Sequence, residues 1–527
     1  MTIDKLSIDE KIDLVKGMGS WHTNDLGGKL DSIHLSDGPH GLRAQAEDAS
    51  GNNDSIPATC FPTASALACS FDTALVEEMA SAIAKEAIEA GVSVILGPGV
   101  NIKRSPVCGR NFEYFSEDPY LAGKLATEYI KGIQKLGVGT SLKHFAANSQ
   151  ETHRMTSNSI VDERALREIY LRAFEIIVKA AKPATIMASY NLLNGLPACE
   201  NKKLLTDILR GEWGYEGLVM SDWGACVDAA KCLAAGMDLD MPDSHGNHKE
   251  GILEALEDGS LPMEALNRAA SNVIYLVNNY PAKVKDGLHN VSNSVLDEHY
   301  LLAKKISSEC AVLLKNENAL PLNNPTKVIV IGDLSRRMRI QGGGSSHINA
   351  AKTINILDAL EKENIETVFI RGYDCGSKSL DALQKSDKKL IDEAINKLQN
   401  EIDKDPNIPI LIFGGLTDNA EGEGYDRESF ALPANQESLY KEIRKVTENV
   451  IFISFCGSPY DLSSIDYAKA ILNMYLGGEA VAESCVDILV GKSNPSGRLA
   501  ETWPNRVEDS PCFKNFGRNN TAVDDVL

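Results

Sequence analysis

The stretch that decides the fold is Gly217-Leu218-Val219-Met220-Ser221-Asp222-Trp223-Gly224-Ala225. Its aliphatic run between glycines predicts a buried β-strand, and its first polar residues emerge where that strand ends. In parallel α/β folds, functional residues gather at the carboxyl ends of the strands. Asp222 is therefore a candidate for chemistry, although an aspartate at such a turn also commonly caps the following helix.

The same pattern recurs through the first half of the chain. Short apolar runs that end in polar residues are found at 33–37, 94–98, 141–144, 185–190, 218–222 and 237–240. Amphipathic helix patterns separate several of them, as at 72–91 and 161–180, and Asp72 and Asp118 suit helix starts. The alternation predicts a (β/α)8-type, TIM-like barrel over residues 1–285, and it leaves open whether the barrel is regular or irregular.

A second α/β domain is predicted over residues 301–505. The alternation is lost after Asn278, where the chain becomes rich in Asn, Lys, Asp and Ser, and residues 286–300 are predicted to be the linker. Continuous apolar strands then follow at 327–332, 367–370, 408–415, 450–455 and 470–476. Such strands with crossover helices predict an α/β sandwich with a mostly parallel sheet. Residues 506–527 are expected to be a short C-terminal tail.

Composition narrows the classes of partner. Lys and Arg total 53 against 74 Asp and Glu, and the net charge of −21 disfavours nucleic acid and anionic membrane surfaces. No apolar run approaches membrane-spanning length, and the N-terminus lacks the features of a secretory signal. Eleven cysteines without paired C-x-x-C spacing predict reduced core thiols in a cytoplasmic protein.

Cofactor motifs are not found. The chain has no H-E-x-x-H and no G-x-x-x-x-G-K-[ST] motif, so neither a metal site nor a nucleotide phosphate site is expected. The glycine-rich segment Gly342-Gly343-Gly344-Ser345-Ser346 lacks the spacing needed to bind a dinucleotide. We expect it to be a substrate-facing or interdomain loop.

Several predicted strands end in residues suited to bind a polyhydroxylated ligand. Asp37 can accept two hydroxyl groups, with Arg43 to orient it, although D-G-P is also a plain turn. Because neighbours on a strand face opposite ways, one of Lys143 and His144 is open to a structural role. Met187 and Tyr190, at the end of a later strand, suit either the wall of a binding site or the hydrophobic core. Trp223 follows the next strand, and its ring suits stacking on the face of a sugar.

One acidic loop stands out in the second half. Its sequence is Asp418-Asn419-Ala420-Glu421-Gly422-Glu423-Gly424-Tyr425-Asp426-Arg427. A charge run of this kind is usually a solvated surface. This loop, however, follows the strand predicted at 408–415, and ligands bind at that end of strands in open sheets.

Together these segments resemble glycoside hydrolase family 3, in its β-glucosidase branch. The resemblance covers essentially the whole chain, in the order Trp21-His22-Thr23, SDGPHGLR, GRNFEYFSEDP, KHFAANSQET, IMASYN, GLVMSDWGA, EGEGYDR and Ser496-Gly497-Arg498-Leu499. It implies an N-terminal barrel and an α/β sandwich with the active site between them, hydrolysis of β-linked sugars with retention, and no cofactor. Members commonly carry a further fibronectin type III-like module, which is not expected here.

The resemblance also implies roles for particular residues. Asp222 would be the nucleophile and Glu423 the acid/base, with Glu421 as the competing candidate two residues away. The sugar would be bound by Asp37, Arg43, Arg110, Lys143, His144, Arg154, Met187 and Tyr190, and the leaving part by Trp21 and Trp223.

The implied chemistry requires two carboxyl groups about 5–5.5 Å apart. Lys143 and Arg110 are expected to keep Asp222 ionised, and the negative Asp222 is expected to raise the pKa of the acid. The expected function is a retaining β-glucosidase acting on a small β-glucoside or short oligosaccharide. A β-xylosidase or other exo-β-glycosidase of the family, and a non-catalytic sugar-binding protein, are the alternatives, and the sequence does not indicate an oligomeric state.

Overall fold

The computed structural model describes residues 2–45, 54–242, 248–284, 287–376, 380–517 and 525–526, the last two and 380–387 by backbone alone. The first domain is built on a sheet of five parallel strands. In sheet order they are Leu218–Ser221, Thr185–Ala188, Gly139–Phe145, Val94–Leu96 and Leu35–Asp37. These are five of the six strands expected from the sequence, and their carboxyl ends lie at one edge of the sheet.

The sixth expected strand, at 237–240, forms single bridges instead of a ladder. Leu239 bridges Met220, Asp240 bridges Lys16, and the hairpin of Gly17–Met18 and His22–Thr23 continues from there. The described sheet therefore has five strands where eight were expected, because hydrogen bonding beyond Leu218–Ser221 is irregular. Among the described residues, a second small sheet contains Asp525–Val526, Asn158–Ser159, Leu192–Leu193 and Leu196–Pro197.

Helices cover the sheet of the first domain. They are Ile8–Leu14, Ala64–Ala68, Thr73–Ala90, Pro119–Gln134, Glu163–Ala165, Arg172–Ala181, Ala229–Ala235, His248–Asp258 and Met263–Asn279, with π-helical turns at Leu166–Tyr170 and Lys203–Glu212 and 3-10 turns at Ile3–Lys5, Asn111–Glu113 and Ala198–Glu200. Asp72 caps the helix Thr73–Ala90, and Gly91 ends it with φ 85°. Asp118 likewise caps Pro119–Gln134, so both helix starts predicted from the sequence are confirmed.

The second domain is a six-stranded sheet between helices. Its strands in order are Val312–Asn316, Ala470–Asn473, Ile451–Phe455, Ile410–Gly415, Lys327–Ile331 and Glu366–Ile370, all parallel except the first. The five parallel strands were predicted and the antiparallel edge strand was not. Its helices are Asn293–Cys310, Ile356–Lys362, Leu380–Lys404, Ala434–Val446 and Val481–Leu489, with 3-10 turns at Asp333–Ser335 and Val507–Asp509.

The helix Asn293–Cys310 begins inside the segment expected to be the linker. Its buried face carries Leu296, His299, Ala303 and Ile306, which recur at helical spacing beneath a polar composition. The non-helical connection is therefore shorter than 286–300. In the part of the chain that the structure describes, we find no helix long and apolar enough to cross a bilayer.

Phe112 joins the two domains. Its ring is fully buried, and it lies against two glycines of the second domain. A Cβ added to Gly457 would lie 2.3 Å from Phe112 Cβ, and one added to Gly342 would lie 2.4 Å from the ring. The two backbones therefore approach as closely as only glycine permits.

We expect Gly457→Ala to lower the thermal midpoint of unfolding by several degrees. The added methyl group would overpack the interface with Phe112, and overpacking costs about 1–3 kcal/mol. The matched control is Gly251→Ala on the exposed helix His248–Asp258, where an added Cβ meets no atom within 4 Å. That variant should be as stable as the parent or more stable, because Ala favours helix by roughly 0.5–1 kcal/mol. Equal midpoints for the two variants would contradict this packing.

Candidate active site

Asp222 lies just past the strand Leu218–Ser221, at the end where that strand meets its neighbours. Its backbone N–H donates to Ala188 O at 2.9 Å. Its Oδ1 accepts the Trp223 N–H at 2.8 Å, whereas Oδ2 accepts no hydrogen bond from the described residues. His144 Nε2 lies 3.8 Å from that oxygen. Asp222 is thus anchored through one oxygen and free at the other.

A buried cluster of cations and a carboxylate lies beside Asp222. Arg110 Nε donates to Glu113 Oε2 at 2.8 Å, and Lys143 Nζ lies 3.2 Å from Glu113 Oε1. Burial alone would raise the pKa of Glu113, but Arg110 and Lys143 outweigh it and the pKa is lowered. Glu113 is therefore an anion that holds both cations in place.

Asp37 is a further buried carboxyl group near this cluster. Its Oδ2 accepts Arg43 Nη1 at 3.0 Å, and the same nitrogen donates to Ser345 O at 3.3 Å. Burial raises the pKa of Asp37 to about 6, even though Lys143 and Arg43 act against it. The expectation that Arg43 orients Asp37 agrees with this contact, and Ser345 shows that the glycine-rich loop reaches the same place.

Lys143 and His144 both contribute to the cluster. His144 Nδ1 lies 3.2 Å from the Tyr114 hydroxyl, and its Nε2 faces Asp222. Burial, with Arg110 and Lys143, lowers the pKa of His144 well below its ordinary value, so the ring is neutral. The possibility left open from the strand alternation, that one of the pair is purely structural, does not fit these contacts.

Glu421 and Glu423 point in different directions. Glu421 is fully buried and pairs with Arg339 and Ser458 of its own domain, and it accepts the Gly457 N–H at 2.8 Å. Glu423 Oε1 instead lies 2.7 Å from Arg154 Nη1 and 3.7 Å from Arg110 Nη1. Only Glu423 of the two faces the cations of the first domain.

The raised pKa expected for the acid is not found in the unliganded protein, whereas Arg110 and Lys143 act on Asp222 in the expected direction. Burial alone would raise the pKa of Glu423, but Arg110 and Arg154 overcome it and hold the pKa well below the usual range. Burial raises the pKa of Asp222, with Arg110 and Lys143 acting against it and Glu423 with it. Two guanidinium groups beside Glu423 therefore outweigh repulsion between the carboxylates.

Aromatic rings line the outer side of the site. Trp21 and Trp223 have ring centroids 5.8 Å apart at 38°, and Trp223 Nε1 donates to Ser20 O at 2.9 Å. The Tyr190 hydroxyl donates to Trp223 O at 3.0 Å, and Arg154 lies 4.5 Å over the Tyr190 ring. Met187 is buried in its strand and belongs to the hydrophobic core, as its alternative interpretation had it.

Four contributing residues had no role assigned from the sequence. Glu113, Glu151, Ser345 and Asp426 all lie in segments whose partners are distant along the chain. Glu151 Oε2, for example, accepts the Gly424 N–H at 2.8 Å, and the Ser345 N–H donates to Glu423 Oε2 at 2.7 Å. The sequence does show charged residues inside or beside the quoted motifs, but a motif does not indicate which charged residues form pairs in the folded protein.

One group of possible metal ligands is present among the described residues. It comprises Cys226, Asp240 and His248, whose ligand atoms lie within 4.8 Å of one another. His248 Nδ1 is 2.8 Å from Asp240 Oδ2, and Ser221 Oγ is 3.5 Å from Asp240 Oδ1. These contacts are hydrogen bonds of a kind common in buried polar groups.

Both halves of the chain match family models. Residues 34–276 match the glycosyl hydrolase family 3 N terminal domain, and residues 311–525 match the glycosyl hydrolase family 3 C-terminal domain. Thermostable beta-glucosidase B of Acetivibrio thermocellus is 43% identical over 531 residues, covering 99% of this chain and 68% of that protein. An exo-alpha-(1->6)-L-arabinopyranosidase of Bifidobacterium longum is 41% identical over 538 residues, covering 99% and 69%. The crystal structure of a GH3 beta-glucosidase from Bifidobacterium adolescentis superposes with a TM-score of 0.90 at 40% identity, covering 100% of this chain and 74% of that one.

We expect Glu421→Gln to destabilise the second domain, by about 3–5 kcal/mol, because it breaks a buried ion pair from one side. The pKa of Glu421 is lowered from 4.5 despite its burial, chiefly by Arg339. Its contribution to stability is therefore complete above about pH 4.5 and is lost as the pH falls through the folded value. Thermal midpoints at pH 7 and in acid measure this, with Glu428→Gln on the exposed side of the same loop as control. A midpoint equal to that of the control at pH 7 would contradict the assignment.

Proposed function

The chain belongs to glycoside hydrolase family 3, and from this membership we propose that it is a retaining β-glucosidase that removes terminal β-D-glucosyl residues from small β-glucosides or short oligosaccharides. The observation that carries the proposal is the position of Arg110. Its Nη1 lies 3.7 Å from Glu423 Oε1 of the second domain. Burial raises the pKa of Asp222 in the first domain and the same guanidinium acts against it, so one buried cation acts on both carboxyl groups. Such a pair is what a retaining glycosidase requires.

In the first step, Asp222 attacks the anomeric carbon through Oδ2, the oxygen without a hydrogen bond. Glu423 gives its proton to the glycosidic oxygen, the carbon–oxygen bond breaks, and a glycosyl–Asp222 ester forms. In the second step, Glu423 removes a proton from water, which attacks the same carbon and releases the sugar. Arg110 and Lys143 stabilise the Asp222 carboxylate when it leaves.

The sugar is bound by the polar cluster. Asp37, which is held by Arg43, accepts hydrogen bonds from sugar hydroxyl groups, while Lys143 and Arg110 donate hydrogen bonds to hydroxyl oxygens. Arg110 Nη2 pairs with Glu113 Oε2 at 2.7 Å, whereas the buried Nη1 makes no hydrogen bond to the described residues and lies 3.7 Å from Glu423 Oε1, which leaves Nη1 available to the hydroxyl groups. The paired rings of Trp21 and Trp223 then receive the leaving part of the substrate.

Glu423 must gain a proton before it can act as the acid. Glu423 pairs with Arg154 at 2.7 Å in the unliganded protein. We infer that sugar hydroxyl groups take the place of this ion pair, which separates the carboxylate from the guanidinium and raises the pKa of Glu423. The proton is thus taken up with the substrate. This order accounts for a low pKa of the acid in the unliganded protein.

The five parallel strands belong to an irregular barrel. The bridges from Met220 to Leu239, from Asp240 to Lys16 and from His22 to His34 run from one edge of the sheet to the other, next to Leu35–Asp37. The barrel occupies residues 1–285 and the sandwich 301–505, a division supported by the boundary between the two family models.

A cytoplasmic location and a small-molecule partner complete the proposal. All eleven cysteines are free thiols, as in a reducing compartment. The net charge of −21 disfavours nucleic acid and anionic membranes. A second candidate activity is exo-α-L-arabinopyranosidase, because a relative of that name is almost as similar as the β-glucosidase.

Turnover of 4-nitrophenyl glycosides tests the activity. We expect kcat/KM to be highest with the β-D-glucopyranoside and lower with the β-D-xylopyranoside and α-L-arabinopyranoside. A preference for one of the latter two would transfer the assignment to that activity. No turnover of any of them by the folded protein would leave the non-catalytic sugar-binding alternative.

Trapping and rescue test the two carboxyl groups. A 2-deoxy-2-fluoro-β-glucoside should label Asp222, detected by mass spectrometry of the peptide. Azide should restore turnover of 2,4-dinitrophenyl β-glucoside to Glu423→Ala and give the β-glucosyl azide, because azide needs no general base. Labelling of another residue, or rescue of Glu421→Ala in its place, would contradict these roles.

We expect Arg154→Gln to move the acidic limb of the kcat/KM–pH profile to higher pH, by about one to three units. With the pKa of Glu423 below that of Asp222, the acidic limb belongs to Glu423 and the basic limb to Asp222. Loss of one guanidinium raises the pKa of Glu423, hence the direction. Arg164→Gln, at an exposed ion pair, is the control. A shift of the basic limb alone would mean that the pKa order is reversed.

A further inference from the structure

Asp426 connects the loop of Glu423 to the first domain. Its Oδ1 accepts the Gly109 N–H at 2.9 Å, and its Oδ2 accepts the N–H groups of Glu151 and Thr152 at 3.0 and 2.9 Å. Its own N–H donates to Thr152 Oγ1 at 3.1 Å. One carboxylate thus binds three backbone donors from two segments of the other domain, and charged acceptors of this kind make the stronger hydrogen bonds.

The loop also lies directly on Gly109. A Cβ at that position would be 1.8 Å from Tyr425 O and 2.5 Å from Gly422 O. The Arg427 N–H donates to Val107 O at 2.9 Å immediately beyond. The loop is therefore in van der Waals contact with the first domain and cannot move closer to Gly109.

A second contact holds the residue next to Glu423. The Gly424 N–H donates to Glu151 Oε2 at 2.8 Å. Glu151 is itself buried and is held by the hydrogen bond from its own N–H to Asp426. Asp426 thus acts on the loop directly and also through Glu151, which binds the N–H of the peptide that follows Glu423.

We propose that Asp426 is the positioning residue of the acid/base: its carboxylate fixes the loop against Gly109, Glu151 and Thr152 and so sets where the Glu423 carboxyl lies relative to the glycosidic oxygen. The inference rests on the proposed function of Glu423. Asp426 does not touch the reacting atoms and transfers no proton. A carboxylate is required because an amide at this position has one oxygen for three N–H donors and turns an NH2 group toward them.

The leaving group separates positioning from general stability. Departure of 2,4-dinitrophenolate needs no proton, whereas departure of phenolate does, and general acid catalysis contributes about 10²–10⁴-fold. With Asp426→Asn, kcat/KM for phenyl β-glucoside should fall about ten- to hundredfold, with a change of less than about threefold for 2,4-dinitrophenyl β-glucoside. A loss of folded protein alone would lower both values by the same factor.

The matched control is Asp418→Asn, the same substitution in the same loop. Asp418 is largely exposed and pairs with Arg339 at 3.2 Å, so both substrates should react as with the parent. Gly109→Ala is the second test, because it displaces the loop while Asp426 stays. It should give the same dependence on the leaving group, and it covers the case in which Asp426→Asn does not fold.

The double variant Glu423→Ala/Asp426→Asn completes the test. Without Glu423 there is no acid to position, so Asp426→Asn should cause no further loss with phenyl β-glucoside. Equal losses for both leaving groups, or additive losses in the double variant, would overturn the proposal. If azide rescues Glu423→Ala while Asp426→Asn keeps the parent's dependence on the leaving group, only this inference fails. If the parent hydrolyses no aryl glycoside, the proposed function fails.

Discussion

The ion pairs of Glu423 with Arg154 and Arg110 are the constraint on which the site depends, because they cross the boundary between the domains. A guanidinium or carboxylate that leaves water needs a partner with good geometry. In the first domain Arg110 pairs with Glu113 and Arg154 pairs with Glu151, and each arginine also meets Glu423 of the second domain. Docking of the domains and assembly of the site are therefore one event.

This pairing also decides the protonation of the site. Repulsion between two carboxylates raises the pKa of one of them when no cation intervenes. Here cations do intervene, and they lie closer to Glu423 than to Asp222, so Glu423 is the more acidic group. Substrate binding then has two effects. The hydroxyl groups replace Glu423 as partners of the arginines, and the Glu423 carboxyl group becomes free to hold a proton. Binding and activation of the acid are coupled in consequence.

The sequence was sufficient for features that depend on local pattern. Apolar runs located the strands that carry Asp37, Lys143 and Asp222, and polar caps located helix starts. The sequence was insufficient where a residue's role depends on a contact partner that is distant along the chain. The roles of Glu113, Glu151 and Asp426 depend on contacts with other segments, and the short helix Ala64–Ala68, the antiparallel strand Val312–Asn316 and the bridges at Lys16 and Asp240 depend on tertiary packing that no periodicity reports.

The loop from 421 to 427 explains how an acid on one domain can be held accurately over a nucleophile on another. Its three carboxylates face different ways: Glu421 into its own domain, Glu423 toward the arginines, and Asp426 onto the backbone of the first domain. Gly422 and Gly424 permit this, since a Cβ on Gly422 would meet Tyr425 at 2.5 Å and Gly424 has φ 93°. A loop anchored at both ends of a six-residue stretch, at Glu421 and Asp426, leaves little freedom to Glu423 between the anchors. Precision at Glu423 therefore comes from its two acidic neighbours along the chain, each of which is satisfied by a different domain.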